Sequence, residues 1–206
     1  MAVFHSFDPA QGHGLPFNPI KAIVAPRPIG WISSVSAAGI ANLAPYSFFN
    51  QVSDRPPLLI FSSDGHKDSL ANVLETGAFV YNLATRRQAE ALSQSSARYS
   101  PEVDEFAAVG LEKIPGEVVA VPRVAGAPAA MECRLVETKI LVGLDGAPVG
   151  NTLVIGQVVR VHIDTAYLKD GLFDTVAAGT IARCGYRNAY AEVDSIFELE
   201  RPVQPV

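Results

Sequence analysis

Cysteine is scarce in this sequence of 206 residues, with Cys133 and Cys184 as the only two. Two cysteines are too few for a disulfide framework, and their spacing is too wide for a metal-ligand pair. We therefore expect both to be small buried hydrophobic side chains in a reducing compartment. The four histidines are scattered as well, so no metal site is predicted.

An excess of basic residues is also lacking. The chain has 16 Lys and Arg against 21 Asp and Glu, which gives a formal net charge of -5 at pH 7. Nucleic-acid-binding proteins usually carry a basic face, whereas the close basic pair here, Arg86-Arg87, is typical of a solvated helix face. No nucleic-acid partner is expected.

Long hydrophobic runs are missing too. No run approaches the roughly 18 apolar residues of a transmembrane helix, and residues 1–8 lack the basic and apolar regions of a secretory signal. The sequence therefore predicts a protein without a membrane span that stays in the cytoplasm. A composition of 49% hydrophobic and 18% charged residues is ordinary for a globular protein, and we expect one domain over residues 1–206.

Several catalytic motifs are absent as well. The chain contains no Walker A pattern, no GxGxxG after a strand, no HExxH and no GxSxG. A conventional Rossmann enzyme, zinc enzyme or serine hydrolase is therefore not indicated. Any chemistry that the protein performs is expected to reside in a bound cofactor.

Among the patterns that are present, short apolar runs bounded by Pro, Gly and polar residues predict strands over 29–36, 40–43, 58–61, 78–83, 131–141 and 151–163. Asp145-Gly146 is a strong hairpin signal between the last two. In the last strand Val159, Val161 and Ile163 alternate with polar residues, which predicts that His162 lies on a solvent-facing side.

Two short helices are predicted in the first half. Helical spacing over 67–76 ends at Gly77, a residue suited to the left-handed position after a last turn. Thr85 and Gln88 form a capping-box pattern ahead of the second helix. The stretch 100–130 is rich in proline, and we expect it to wrap the surface or cover a neighbouring subunit.

Two segments have the composition of a site for a planar anion. Residues 42–50, the ring segment, mix small, hydroxyl, amide and aromatic residues without a clear period, as a flavin ring and its polar edge require. Residues 62–69, the phosphate segment, form a polar strand-to-helix junction in which backbone N–H groups and Lys67 could face an anion. A hydrophobic loop packed on the sheet would explain the first equally well. Ordinary helix capping by Asp68 or Ser69 would explain the second.

The chain resembles the flavin-reductase-like family of FMN-binding split barrels over roughly residues 20 to 190. The motifs that carry the resemblance, in order, are Pro26-Arg27-Pro28-Ile29-Gly30-Trp31-Ile32-Ser33-Ser34, Asn42-Leu43-Ala44-Pro45-Tyr46-Ser47-Phe48-Phe49-Asn50, Pro56-Pro57-Leu58, Lys67-Asp68-Ser69-Leu70, Phe79-Val80-Tyr81-Asn82-Leu83 and Asn151-Thr152-Leu153-Val154-Ile155-Gly156. Each motif is weak alone, and their shared order and spacing make the resemblance specific.

This resemblance implies a mainly β fold, a Greek-key split β-barrel with a few helices, and a homodimer with one FMN per subunit near the interface. By position, the residues beside the flavin ring would be Ser33, Ser34, Ala44, Pro45, Tyr46, Ser47 and Phe48. The ribityl-phosphate arm would be held by Ser62, Lys67, Asp68 and Ser69, with Arg27 as the nearest other cation among the matched motifs.

One departure from the family concerns nicotinamide handling. Many members carry Gly-Asp-His before the late strand, where this chain has Val149-Gly150-Asn151. Asn151 is therefore a candidate substrate contact, and His162 is a possible substitute for the missing histidine. Either a structural or a merely exposed role would equally explain a lone histidine on a strand.

The resemblance implies an oxidoreductase that passes hydride or electrons from NAD(P)H through bound FMN to an acceptor. The acceptor would be free flavin, ferric iron or a partner oxygenase. A non-catalytic FMN-binding protein that serves as flavin store, sensor or electron carrier is the alternative, because one fold hosts many uses. A split-barrel oxidase of a phosphorylated vitamin is a third reading, and it predicts a denser basic site than Lys67 alone supplies.

Overall fold

A computed structural model describes residues 1–200 and 202 of the chain. Its α-helices are short: α1 (Ile20–Ile23), α2 (Asp68–Thr76), α3 (Ala89–Gln94) and α4 (Glu105–Ala108). Its strands are β1 (Arg27–Pro28), β2 (Gly30–Val35), β3 (Ala41–Tyr46), β4 (Phe49–Asp54), β5 (Pro57–Asp64), β6 (Ala78–Leu83), β7 (Lys113–Ile114), β8 (Arg123–Val124), β9 (Ala129–Val142), β10 (Pro148–Ile163), β11 (Leu168–Lys169), β12 (Leu172–Phe173), β13 (Ile181–Arg183) and β14 (Tyr190–Glu192).

Seven strands form the main sheet, in the order β3-β2-β6-β9-β10-β5-β4, and every neighbouring pair is antiparallel. Strand β5 does not pair with β6, which follows it in sequence, but crosses to pair with β10. A smaller sheet joins β1, β13 and β14. The mainly β architecture predicted from sequence is confirmed.

The largest core cluster lies against the main sheet and is built around aromatic rings. Phe61 and Phe79 meet edge to face, with centroids 5.3 Å apart, and Tyr46 lies 4.8 Å from Phe61. The Phe79 ring also lies over Gly156, where a Cβ atom would approach it to 2.3 Å. Glycine at this position of β10 therefore makes room for the Phe79 ring of β6.

Three local predictions agree closely with the structure. Strand β6 has the predicted bounds, Gly77 adopts a left-handed conformation with φ of 70° after α2, and Gly146 does so with φ of 78° between β9 and β10. Local chemistry decides the two glycine positions, because only glycine adopts positive φ without a steric cost.

The predicted capping box at Thr85 and Gln88 is wrong. Thr85 makes no side-chain cap bond, and a 3-10 turn over Arg86–Gln88 precedes α3. The Gln88 amide instead donates to the carbonyl of Ala125 at 3.0 Å. A tertiary hydrogen bond has replaced the local one.

The predicted exposure of His162 is also wrong. The pairing of β9 with β10 shifts register between Val158 and Arg160. Such a bulge inserts a residue and reverses which side chains face inward beyond it. Val161 and Ile163 are consequently exposed, whereas His162 turns towards the buried Glu132.

The proline-rich stretch 100–130 packs on its own chain. Phe106, Val121 and Val124 are almost completely buried and belong to two core clusters. Of the two roles predicted for this stretch, wrapping the surface of its own subunit therefore agrees with the structure, because its apolar residues pack into the core of the same chain.

Cys133 is buried as predicted, whereas Cys184 is partly exposed. Burial raises the pKa of the Cys133 thiol well above its ordinary value, and the neighbouring Glu132 carboxylate adds to this effect. Among the residues described, no helix combines the length and apolar character needed to cross a membrane.

Candidate functional site

The predicted ring and phosphate segments meet at one cavity of about 690 Å³. All of the predicted cofactor residues except Ser33 and Ser34 line it: Ala44, Pro45, Tyr46, Ser47, Phe48, Ser62, Lys67, Asp68 and Ser69. The two segments lie on different elements of the fold, so their meeting is a property of the tertiary structure.

The ring segment is the end of β3, a two-residue turn and the start of β4, rather than the aperiodic loop expected from sequence. Proline is compatible with a strand only where its missing N–H is not needed. Pro45 meets this condition because β3 is an edge strand of the sheet. Ala44, Pro45 and the half-exposed Phe48 give one wall of the cavity an apolar character.

The phosphate segment begins inside β5, which runs on to Asp64 because it pairs with residues of β10. The Asn151 amide donates to Ser62 Oγ at 3.2 Å, and the Gly65 N–H donates to the Gly150 carbonyl at 2.9 Å. Asn151, predicted as a substrate contact, therefore lies directly behind a residue of the cavity wall.

The N-cap residue of helix α2 is Lys67, whose side chain makes no capping hydrogen bond. The alternative that Asp68 or Ser69 caps this helix is therefore wrong. The uncapped N–H groups of the first turn adjoin a cavity that Lys67 itself lines. A helix N-terminus beside a lysine favours the binding of an anion.

Sequence reasoning missed two cations and a loop. Residues 95–99, between α3 and α4, line the cavity, and Arg98 adds a second cation to Lys67. Lys21 supplies a third, with its Nζ 5.4 Å from the centroid of the Phe48 ring. The run Ser95-Ser96-Ala97-Arg98 could have indicated an anion site, because it combines two hydroxyls with a guanidinium.

Ser33 and Ser34 do not line the cavity. The Ser33 hydroxyl is fully buried and donates to the Pro122 carbonyl at 2.6 Å, and Ser34 Oγ accepts from the Asn72 amide at 3.1 Å. Both serines satisfy polar groups inside the fold.

Arg27, the second cation suggested by sequence, is also directed elsewhere. Its guanidinium donates to the carbonyls of Lys21 and Val24 and so closes the C-terminal end of α1. Arg98 takes its place as the cation to consider beside Lys67.

His162 faces a second cavity of about 470 Å³, which Arg123, Arg160 and Glu117 also line. Its Nε2 lies 2.7 Å from the Glu132 carboxylate. Burial raises the pKa of Glu132, but the N–H groups of Glu117, Val118 and Val119 together with His162 outweigh this and lower the pKa to about 2. The structure thus does not bring His162 together with the other candidate residues.

Two buried titratable side chains line the first cavity. Burial raises the pKa of the Tyr46 hydroxyl, whereas the nearby Ser69 and Ser63 side chains lower it. This hydroxyl is itself buried and makes no hydrogen bond of good geometry among the described residues. Burial likewise raises the pKa of Glu105 to about 7, with further contributions from Asp68 and Asp104 and an opposing one from the Leu43 N–H. Tyr46 is therefore a neutral phenol whose buried hydroxyl lies close to Ser63 and Ser69.

These side chains fit FMN. The apolar wall of the ring segment suits a planar ring, and the Tyr46 hydroxyl is a buried donor in the same segment. Lys67, Arg98 and the uncapped start of α2 suit a phosphate dianion.

The sequence model of the flavin reductase like domain matches residues 24–177. The chain belongs to the flavin reductase-like family. This membership supports a flavin-related redox activity and agrees with the resemblance found from the motifs.

Relatives and solved structures similar to this flavin reductase-like chain cover most of its length. An uncharacterized protein of Halalkalibacterium halodurans is 36% identical over 184 residues, 87% of each chain. Nitrilotriacetate monooxygenase component B from Bacillus cereus is 30% identical, with a TM-score of 0.88 over 97% of this chain and 100% of its own.

A split barrel protein from Shewanella frigidimarina, assigned as a flavin reductase, is 26% identical and has a TM-score of 0.79 over 89% of this chain and 90% of its own. The predicted split-barrel fold of the flavin reductase-like chain is thereby confirmed.

Proposed function

We propose that this protein binds FMN in the cavity between the ring and phosphate segments and uses it to transfer hydride or electrons from NAD(P)H to an acceptor. The observation that carries the proposal is that one cavity is lined by the apolar wall of the ring segment, by the cations Lys67 and Arg98, and by the uncapped start of α2. Free flavin, ferric iron and a partner oxygenase are the candidate acceptors. Similarity to a monooxygenase component B supports the last of these.

In this arrangement the residues of the chain bind and orient FMN and do not themselves take part in the reaction. Ala44, Pro45 and Phe48 would exclude water from one face of the ring, and Tyr46 would donate to its polar edge. Lys67 and Arg98 would neutralise the phosphate. Bound FMN would supply the redox chemistry, which requires stacking and orientation more than a protein acid or base.

The alternative is a non-catalytic FMN-binding protein that acts as flavin store, sensor or electron carrier. The Val149-Gly150-Asn151 sequence favours it, because the histidine associated with nicotinamide handling is missing and Asn151 is bonded to Ser62. Both functions need the same FMN site.

The purified protein is expected to be yellow and to release FMN, not FAD, on denaturation, because a single anion-binding site suits a monophosphate. Anaerobic titration with NADH and NADPH should then bleach the flavin absorbance if the protein is a reductase. A flavin that binds but is not bleached supports the non-catalytic alternative. Colourless protein that also fails to bind added FMN contradicts both functions.

We further propose that the chain acts as a homodimer of single-domain subunits, as the family resemblance implies. Exposed apolar residues occur at both ends of the β9–β10 hairpin and support this: Val136, Ile140, Val142, Val149, Val161 and Ile163. Exposed apolar patches of this kind commonly mark interfaces between subunits. Light scattering should give twice the chain mass, and a monomer that binds FMN tightly contradicts the dimer.

A further inference from the structure

Glu105 connects the parts of the chain that surround the proposed FMN site. It is the first residue of α4, it follows the cavity-lining loop 95–99, and its side chain is only 5% exposed. One carboxylate oxygen accepts the backbone N–H of Leu43 at 2.5 Å. Leu43 immediately precedes Ala44, so the carboxyl of Glu105 holds β3 at the start of the cavity wall.

The Asn42 amide extends this connection to the phosphate segment. It lies 3.3 Å from the same oxygen of Glu105 and 2.8 Å from Ser69 Oγ. With Nδ2 directed at Glu105, the amide donates to the carboxyl while its oxygen accepts from the Ser69 hydroxyl. Side chains of α4, β3 and α2 are thereby linked in one hydrogen-bonded chain.

The charges around Glu105 do not neutralise it. Asp68 and Asp104 are the acidic groups that act on it, and Asp104 is itself paired with Lys113. The cations Lys21, Lys67 and Arg98 line the cavity, as do His66, Asp64 and Tyr46, but none forms an ion pair with Glu105 among the described residues. Burial without a cation raises the pKa of Glu105 to about 7, so its carboxyl gains and loses a proton near neutral pH.

We propose that Glu105 is a positioning residue that holds the ring and phosphate segments in register, and that FMN binding is coupled to a proton on its carboxyl. This inference rests on the proposed FMN site. FMN brings a phosphate with a charge of about -1.5 to -2 at pH 7 into the cavity that Glu105 lines. A protonated Glu105 avoids the repulsion between its carboxylate and the FMN phosphate. Binding of FMN and binding of the proton should therefore each favour the other.

The test compares the parent with Glu105→Gln, which keeps an oxygen for the Leu43 N–H but cannot ionise. FMN dissociation constants are measured by fluorescence titration from pH 6 to 8.5. If FMN raises the pKa of Glu105 by about one half to one unit, parent affinity falls about three- to sevenfold more than variant affinity over this range. The FMN phosphate and the other groups that line the cavity are the same in both proteins, so the difference between the two pH profiles isolates Glu105.

Proton uptake gives a second readout that a purely structural role would not change. Calorimetric titration with FMN in buffers of different ionisation enthalpy should show that the parent takes up about a quarter to half a proton more than Glu105→Gln near pH 7.5. Glu90→Gln is the matched control, because Glu90 is an exposed carboxylate on α3. It should behave as the parent does in both measurements.

Folding of the FMN-free protein supplies an independent check. A carboxyl with a raised pKa contributes stability that is fully present below its unfolded value and is lost as the pH rises through about 7. The thermal midpoint of the parent should therefore fall over this range relative to that of Glu105→Gln. Equal pH profiles of FMN affinity and equal proton uptake in parent and variant overturn the inference while leaving the FMN site intact. A parent that binds no FMN at any pH overturns the proposed function and, with it, this coupling.

Discussion

Glu132→Ala is expected to lower the free energy of unfolding by about 3–5 kcal/mol, the usual effect of breaking a buried charged network. The Glu132 carboxylate is completely buried and accepts three backbone N–H groups, from Glu117, Val118 and Val119, besides its contact with His162. Its removal leaves these donors without a partner in a dry environment. Urea denaturation at pH 7 measures the change.

Glu137→Ala is the matched control, because Glu137 lies on the same strand with its side chain exposed. It should change the free energy of unfolding by less than about 0.5 kcal/mol. A loss below about 1 kcal/mol in Glu132→Ala would mean that the carboxylate does not hold the segment before β8 as described.

The pH dependence of stability offers a second check on Glu132. A carboxylate whose pKa is lowered to about 2 contributes stability that is present above its unfolded value, near 4.5, and is lost as the pH falls through 2. Glu132→Gln lacks this contribution. The stability of the parent should therefore fall more steeply than that of the variant on acidification.

Lys67→Ala is expected to weaken FMN binding about ten- to a hundredfold, because a charge-assisted hydrogen bond contributes about 1.5–3 kcal/mol. Lys67 lines the cavity at the uncapped start of α2. Its side chain makes no cap bond, so the fold should be unaffected. FMN titration and the thermal midpoint of the FMN-free protein measure the two effects separately.

Two further variants refine this test. Lys139→Ala removes the same charge from the exposed face of β9 and should bind FMN as the parent does. Arg98→Ala should weaken FMN binding if the loop 95–99 forms part of the phosphate-binding site. Unchanged affinity in both Lys67→Ala and Arg98→Ala would show that the phosphate lies elsewhere in the cavity.

Much of the fold and of the candidate site could be predicted from sequence because the signals are local. A short apolar run rich in β-forming residues predicted β6 with its observed bounds, and Gly77 and Gly146 marked chain reversals that require positive φ. The ring and phosphate segments stood out by composition. Their residues are contiguous, so one strand end or one helix start brings each set together.

Errors arose where distant pairing decides the orientation of a residue. The bulge between β9 and β10 turns His162 inward. Ser33 and Ser34 point into the fold, where they bond to Pro122 and Asn72, and do not line the cavity. Arg98 was missed for the same reason, because the loop between α3 and α4 reaches the cavity only in the folded chain.

Short-range signals were enough to predict the strand-rich class, the main turns and the two segments that we propose hold FMN, because periodicity, glycine conformation and side-chain chemistry act over a few residues. Which side chains share a cavity, and which are buried without a counter-charge, became clear from the folded chain. The crossing of β5 to β10 and the position of α4 against β3 set these relations. They depend on contacts between residues far apart in the chain, and no local pattern records such contacts.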